Sequence, residues 1–502
     1  MKGDFTRFGF DSSKHYSRVL HQQGRVALDA DSNEASAILL HHLRMLTRDL
    51  FGAGGGPPDS GFTLSLDKSS QPATLSLGPG HYYVGGILCE NEQWTDYADQ
   101  PDHIPAPPVN NEGGDALLAW LAQPTTNEAF WVYLDVWERH VSWIEDDSIR
   151  EPALGGPDTC SRAKVVWQVK ALPWDEENWG DLRDNQDPCN TPLASLTGLG
   201  TGRMTARLDP GTPFADPCIV SPEAAYRGAQ NHLYRVEVHR AGTAGAAGGA
   251  TFKWSRENGS VAARWLGVGS SGDAPTLSVA STRGFAAGDW VELSHDGLDL
   301  ANQPGQLVRL SVVDGDQLVV DAASVPGGTL MAWSEALSHP KLRRWDQRGS
   351  DIVALDEGAV PIVESSGPPL TWLDLEDGIQ VAFEAGGEYR SGEYWLIPAR
   401  VATQGILWPA EGTPEAMQRP QGIVHYHAPL GVLLFDDADG LQILSHCRRC
   451  LSLEQVECAL ASPPVASPPP PRDALVPGRR PTRAPGPPAE AAKHTRRRKA
   501  GG

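Results

Sequence analysis

With 502 residues, 40% hydrophobic and 21% charged, the chain has the make-up of a globular protein with room for about two to four domains. No apolar run approaches the ~18 residues that a membrane-crossing helix needs, which excludes an integral helical membrane protein. The net charge of −21 is uneven: residues 463–502 carry nine Lys/Arg and two Asp/Glu, a net of +7 that leaves −28 for the remainder. Such an acidic body repels nucleic acid, whereas the basic tail suits an acidic surface.

The first 34 residues, MKGDFTRFGFDSSKHYSRVLHQQGRVALDADSNE, are polar but interleaved with Phe5, Phe8, Phe10, Tyr16, Val19, Leu20, Val26 and Leu28. A polar terminus becomes ordered only when something ties it down. The segment is therefore expected to dock rather than to catalyse, through Gly3, Asp4, Phe5, Arg7, Tyr16, Gln22, Gln23, Gly24, Arg25, Asp29, Asp31 and Glu34. It has no apolar h-region or cleavage site of a secretory signal, so synthesis in the cytoplasm is expected. The opening resembles a family of bacterial proteins without assigned activity that share a GDFTR…HYSRVL.QQGRV.LDAD.NE start. Members are associated with phage-tail-like contractile injection particles. The resemblance covers roughly residues 1–455 and departs at Ser32, where relatives usually carry Trp. It implies other proteins of such a particle as partners, and assembly on that particle after synthesis.

Asp31 and Glu34 have the spacing of a capping box. Ala35, Ile38, Leu39, His42, Met45, Leu46 and Leu50 follow at helical spacing until Gly54-Gly55-Gly56-Pro57-Pro58 stops the helix. From residue 60 to 170 the period changes to two, with strands expected at Phe62–Leu66, Thr74–Leu77, Tyr82–Cys89, Phe130–Trp137 and Val165–Val169. Residues 171–220 read as irregular. Leu233–His239 and Phe252–Gly259 are expected to form a hairpin across the glycine-rich connector 241–249, which lacks the Gly-Lys-Ser/Thr of a phosphate loop. Four short strands over 275–325, with Asp314-Gly315 as a hairpin turn, predict a small β-barrel insert. Strands resume at 342–346, 375–381, 389–400 and 425–435, and the Pro-rich, Arg-rich end is expected to be disordered.

Seven cysteines, an odd number in a long chain, read as a reduced thiol set. Cys447-x-x-Cys450 and His425-x-His427 together have the composition of a Cys2His2 zinc site. The bland reading, histidines packed at a strand end and an incidental second thiol, is preferred, and no cofactor is expected. The acidic clusters Glu145-Asp146-Asp147 and Asp374-x-Glu376-Asp377 read as solvated turn acids rather than paired glycosidase carboxylates. Trp131, Trp137, Trp167 and Trp395 read as core within strands rather than as sugar platforms.

The expected fold is mainly β. It has a docking segment and one helix (1–57), a β-sandwich-like body in two parts (58–274 and 326–460), a barrel insert (275–325) and a disordered tail (461–502). The expected function is structural: a baseplate, fibre-attachment or surface component of a contractile injection particle, and not an enzyme. The alternative is a carbohydrate-binding module or glycan-active enzyme acting at a cell surface.

Overall fold

The computed structural model describes residues 1–57, 61–103, 115–156, 158–196, 198–210, 224–245, 248–272, 274–349, 353–410, 413 and 416–450. The tail expected over 461–502, together with Cys218 and Cys458, lies outside them. The fold is mainly β, and three main hydrophobic cores organise the described residues.

The first core is organised by the strand Ala129–Val141, whose sequence AFWVYLDVWERHV is apolar in both phases because both faces are covered. Phe130, Val132, Leu134 and Val136 join Leu64, Leu77, Tyr82 and Val84 on one side. Trp131 and Tyr133 pack on the other with Leu182, Val432 and Leu434. One edge pairs with Arg162–Pro173, the other with Tyr426–Asp436, which turns back as Gly440–His446. The last strands of the described chain therefore complete a sheet begun some 290 residues earlier, in the register His427↔Asp135.

The same closure is fastened by a Cys189–Cys447 disulfide, with Cα atoms 5.3 Å apart across a sequence separation of 258. This corrects the reduced thiol set read from the cysteine count. A cross-link over so long a loop restricts the unfolded chain strongly. Cys189→Ser is expected to lower stability by roughly 2–4 kcal/mol, seen as a drop in the urea midpoint. Dithiothreitol should reproduce that drop in the wild type and have no further effect in the variant.

The second core is sandwich-like. A five-stranded sheet built on His232–Val238, Thr251–Ser255 and Tyr394–Arg400 faces a smaller one built on Met204–Leu208 and Ile379–Glu384. Tyr234, Val236, Phe252, Val381, Phe383, Trp395 and Ile397 interleave between them. The expected hairpin of Leu233–His239 with Phe252–Gly259 forms, in the register Arg235↔Ser255.

The barrel is larger than expected. Ala274–Val279, Trp290–Ser294, Gln306–Asp314 and Gln317–Val320 fall within the expected interval, but closure requires Ala262–Ser271 and Lys341–Trp345 as fifth and sixth strands. Four short strands leave two open edges, and these two flanking strands remove them. Trp265, Leu277, Val291, Leu293, Val308, Leu318 and Leu342 fill the interior.

The long helix α1 spans Asp29–Phe51. It begins two residues before the expected cap: Leu28 occupies the N-cap position and no side chain caps there, so the Asp31–Glu34 capping box does not form. Asp29 and Asp31 instead lie in the first turn, where carboxylates complement the helix dipole.

Candidate functional site: a buried charged cleft holding the N-terminal arm

Where the three cores meet there is a cavity of about 340 Å³. It is lined by Trp137, Arg139 and His140 of the first sheet, Arg235, Glu237, Lys253 and Tyr394 of the sandwich, and Glu292, Lys341 and Arg343 of the barrel. Met1 and Lys2 enter it. The strand His232–Val238 explains the arrangement. Its even positions, Tyr234 and Val236, serve the sandwich core. Its odd positions, Arg235 and Glu237, point the other way yet are only 2% and 1% exposed, because the barrel and the arm cover that face.

The arm is received by backbone recognition as well as by charge. Asn258, fully buried, donates to the carbonyls of Met1 (3.3 Å) and Gly3 (2.9 Å). Arg235 Nη1 donates to the Met1 carbonyl while its guanidinium lies 3.5 Å from the Tyr394 ring centroid. Arg400 donates to the Thr6 carbonyl at 2.8 Å. Lys2 Nζ reaches Glu237 at 2.9 Å. A Cβ at Gly3 would stand 2.8 Å from the Phe5 ring and would displace it. Phe5 in turn packs edge-on against His140.

The charges compensate one another. Glu237 faces Lys2, Arg235 and Lys253; Glu292 faces Lys253 and accepts from Trp345 Nε1 at 2.8 Å and from Gly305 N at 3.0 Å. Lys341 lies 2.7 Å from Glu145 and 2.6 Å from Asp299, and Arg139 pairs with Asp296. Glu145 is therefore a buried ion-pair partner, which corrects its reading as a solvated turn acid. Burial pushes the Glu237 carboxyl up, but Lys2, Arg235 and Lys253 outweigh it and hold the group well below its ordinary value. By the same competition, with Lys253 and Lys2 as the cations, Glu292 settles at about 2. Two histidines behave oppositely: burial, reinforced by nearby cations, depresses His140 to about 3 and His239 to about 4. Their Nε2 and Nδ1 atoms, respectively, are buried without a hydrogen-bond partner.

A model of the Family of unknown function (DUF6519) matches residues 1–196 and 180–501. The chain belongs to the DUF6519 family. No curated protein and no solved structure matches it.

In this DUF6519 chain the expected assembly residues divide into two groups. Gly3 and Phe5 sit in or beside the cleft; Asp29 clips the arm by accepting from Thr6 N at 2.8 Å; Glu34 lies against Gly9. Arg7 is half-buried near Arg400, and Asp31 is half-buried in the first turn of α1. By contrast Asp4, Tyr16, Gln22, Gln23, Gly24 and Arg25 are exposed, the last four forming a turn in which Gly24 has φ +71°.

The Cys2His2 set is split, because Cys447 is committed to Cys189 and Cys450 bridges to Gly56 at another edge. His425 and His427 meet Asp135 instead. Trp131, Trp137, Trp167 and Trp395 are all buried. Sequence reasoning missed Arg235, Glu237, Lys253 and Glu292. The available signal was an Arg-x-Glu within a strand that is otherwise apolar, LYRVEV, with no polar turn to place the charges in solvent.

Proposed function

We propose that this DUF6519 chain is a structural or accessory component of a phage-tail-like contractile injection particle, at its baseplate, fibre-attachment site or surface. The family resemblance suggests the particle, and one observation supports assembly as the role. Of the 23 residues of α1 only Ala30 and Ile38 are buried. Leu39, Leu43, Leu46 and Leu50, spaced four, three and four, form one stripe with exposures of 61%, 51%, 58% and 51%. Phe8, Phe10, Tyr16 and Leu20 of the arm add exposed apolar surface. Fully burying one such side chain is worth about 1.5–3 kcal/mol, and an apolar stripe at this spacing is the seam by which helices pair. Contiguous apolar surface of this kind marks a protein-binding face. Repetition of that contact on a symmetric particle would multiply a modest affinity.

Deleting the arm is a poor test, since it strips Lys2 from the buried charges. Leu43→Asp/Leu46→Asp alters only the exposed stripe. The double variant is expected to keep the wild-type urea midpoint and to lose co-sedimentation with purified particles by at least about tenfold, two buried leucines being worth that much or more. Co-sedimentation at the wild-type level would end the docking assignment.

A further inference from the structure

We propose that Asp135, His425 and His427 form a binding site for one divalent first-row cation of the zinc class. The site exists only because the strand Tyr426–Asp436 pairs with Ala129–Val141, which sets His427 opposite Asp135. His425 and His427 are two apart on a strand and so share a face. Their rings lie 16° from parallel with centroids 6.3 Å apart. His425 Nδ1 is 2.8 Å from Asp135 Oδ1, and His427 Nε2 is 3.4 Å from that same oxygen. The second distance exceeds the usual 2.7–3.2 Å range of an N–H···O bond, so a hydrogen-bonded cluster accounts for one imidazole and leaves the other aimed at the oxygen without bonding it.

A shared cation accounts for both. Zinc about 2.0–2.2 Å from each imidazole nitrogen and carboxylate oxygen holds its donors roughly 3–3.5 Å apart. The three donor atoms here all lie within 4.8 Å of one another. Two imidazoles and a carboxylate suit zinc and its first-row neighbours, while magnesium and calcium prefer all-oxygen sites. The donors are also held in place. Asp135 is 3% exposed, and its second oxygen is taken by Lys170 Nζ at 2.6 Å, leaving Oδ1 toward the histidines. Trp137 packs on His425 and Tyr133 on His427. The two histidine side chains remain 28% and 19% exposed, so a cation has an entry path and positions open to water.

The other cluster of similar compactness among the described residues, Glu145, Asp296 and Asp299, differs in kind. It is all carboxylate, with no imidazole, and two cations, Lys341 and Arg139, pair with it where Asp135 has only Lys170.

The test uses the full-length protein, stripped with a chelator, dialysed, and titrated with Zn(II) against a chromophoric competitor. One equivalent is expected to bind and to raise the thermal midpoint. His427→Ala and His425→Ala should each weaken binding by at least about tenfold, while Cys450→Ser and Cys160→Ser leave it unchanged. Circular dichroism and the metal-free urea midpoint establish that each variant is folded, and two histidine variants guard against one misfolding. Stoichiometric binding that survives both histidine substitutions, binding lost in a cysteine variant, or no bound equivalent in the wild type would each overturn the assignment.

Discussion

Glu237→Gln is expected to destabilise the protein by about 3–5 kcal/mol, the range found when one partner of a buried ion pair is removed. The substitution is nearly isosteric, so it opens no cavity. What it removes is the anion shared by Lys2, Arg235 and Lys253; Lys253 keeps Glu292, whereas Lys2 and Arg235 lose the carboxylate they contact. Coulomb attraction is strong here because Arg235, Glu237, Lys253 and Glu292 are almost fully buried, and an uncompensated cation there is correspondingly costly. An exposed pair provides the contrast: Arg150 and Asp147, 40% and 64% exposed, should contribute at most about 1 kcal/mol. Urea denaturation of Glu237→Gln beside Asp147→Asn reads the difference. Adding Lys2→Met to Glu237→Gln should recover part of the loss, since the two positions share one interaction. Loosening of the arm should also appear as faster tryptic cleavage at Arg7. A loss no greater than that of Asp147→Asn would contradict the reading of the cleft as a mutually compensated charge set.

Elements whose pattern is set by their own immediate environment were legible in the sequence. Helix α1 and the Asp314-Gly315 hairpin are local structures, and the long strand Ala129–Val141 declares its double burial through residues 129–134, which are apolar in both phases before Asp135. Of the two strands that close the barrel, Ala262–Ser271 was not legible, and Lys341–Trp345 was read as a strand at 342–346 of the body rather than of the barrel. Ala262–Ser271 loses its alternation after Trp265, where a register shift precedes the glycine- and serine-rich half, and Lys341–Trp345 carries a lysine and two arginines in five residues. Those charges look like solvent exposure. Lys341 is in fact 3% exposed, and Glu145, just past the strand Ala129–Val141, and Asp299, in the short helix Asp296–Leu300 between two barrel strands, converge on it.

The cleft was hidden for the same reason. A charge in a strand signals solvent unless its partner is known, and the partners here come from separate modules. Long-range pairing likewise decides the Cys189–Cys447 bridge and the meeting of Asp135 with His425. That the first residues are tied down was legible in outline, since interleaved aromatics imply attachment, but the groups that hold Met1, Arg235 and Asn258, lie more than 230 positions away.

Stability is expected to fall steeply on the acid side of neutrality, by about 2 kcal/mol between pH 6.5 and 5.5 from His140 and His239 alone. Folded, these imidazoles are held neutral down to about pH 3 and 4 by burial and by neighbouring cations. Unfolded, they take up protons near pH 6.5. Below that value the unfolded chain binds more protons than the folded one, and each histidine then costs up to about 1.4 kcal/mol per pH unit. His103, His232, His295 and His427, whose pKa values burial also lowers, act in the same direction. The cleft carboxylates do not contribute in this window. Glu145 and Glu292, held near 2 against an ordinary 4.5, are ionised in both states at pH 5.5. Their stabilisation is fully present above about pH 4.5 and is lost only as the pH falls toward 2, so they steepen the decline further down. Urea midpoints at pH 7.5, 6.5 and 5.5 separate the two sets of groups. His140→Asn should flatten the upper part of the profile by about half of the two-histidine effect, about 1 kcal/mol. A profile that is flat between pH 7.5 and 5.5, and falls only below pH 4.5, would mean that the buried histidines accept protons in the folded protein and that the cleft is wetter than its geometry implies.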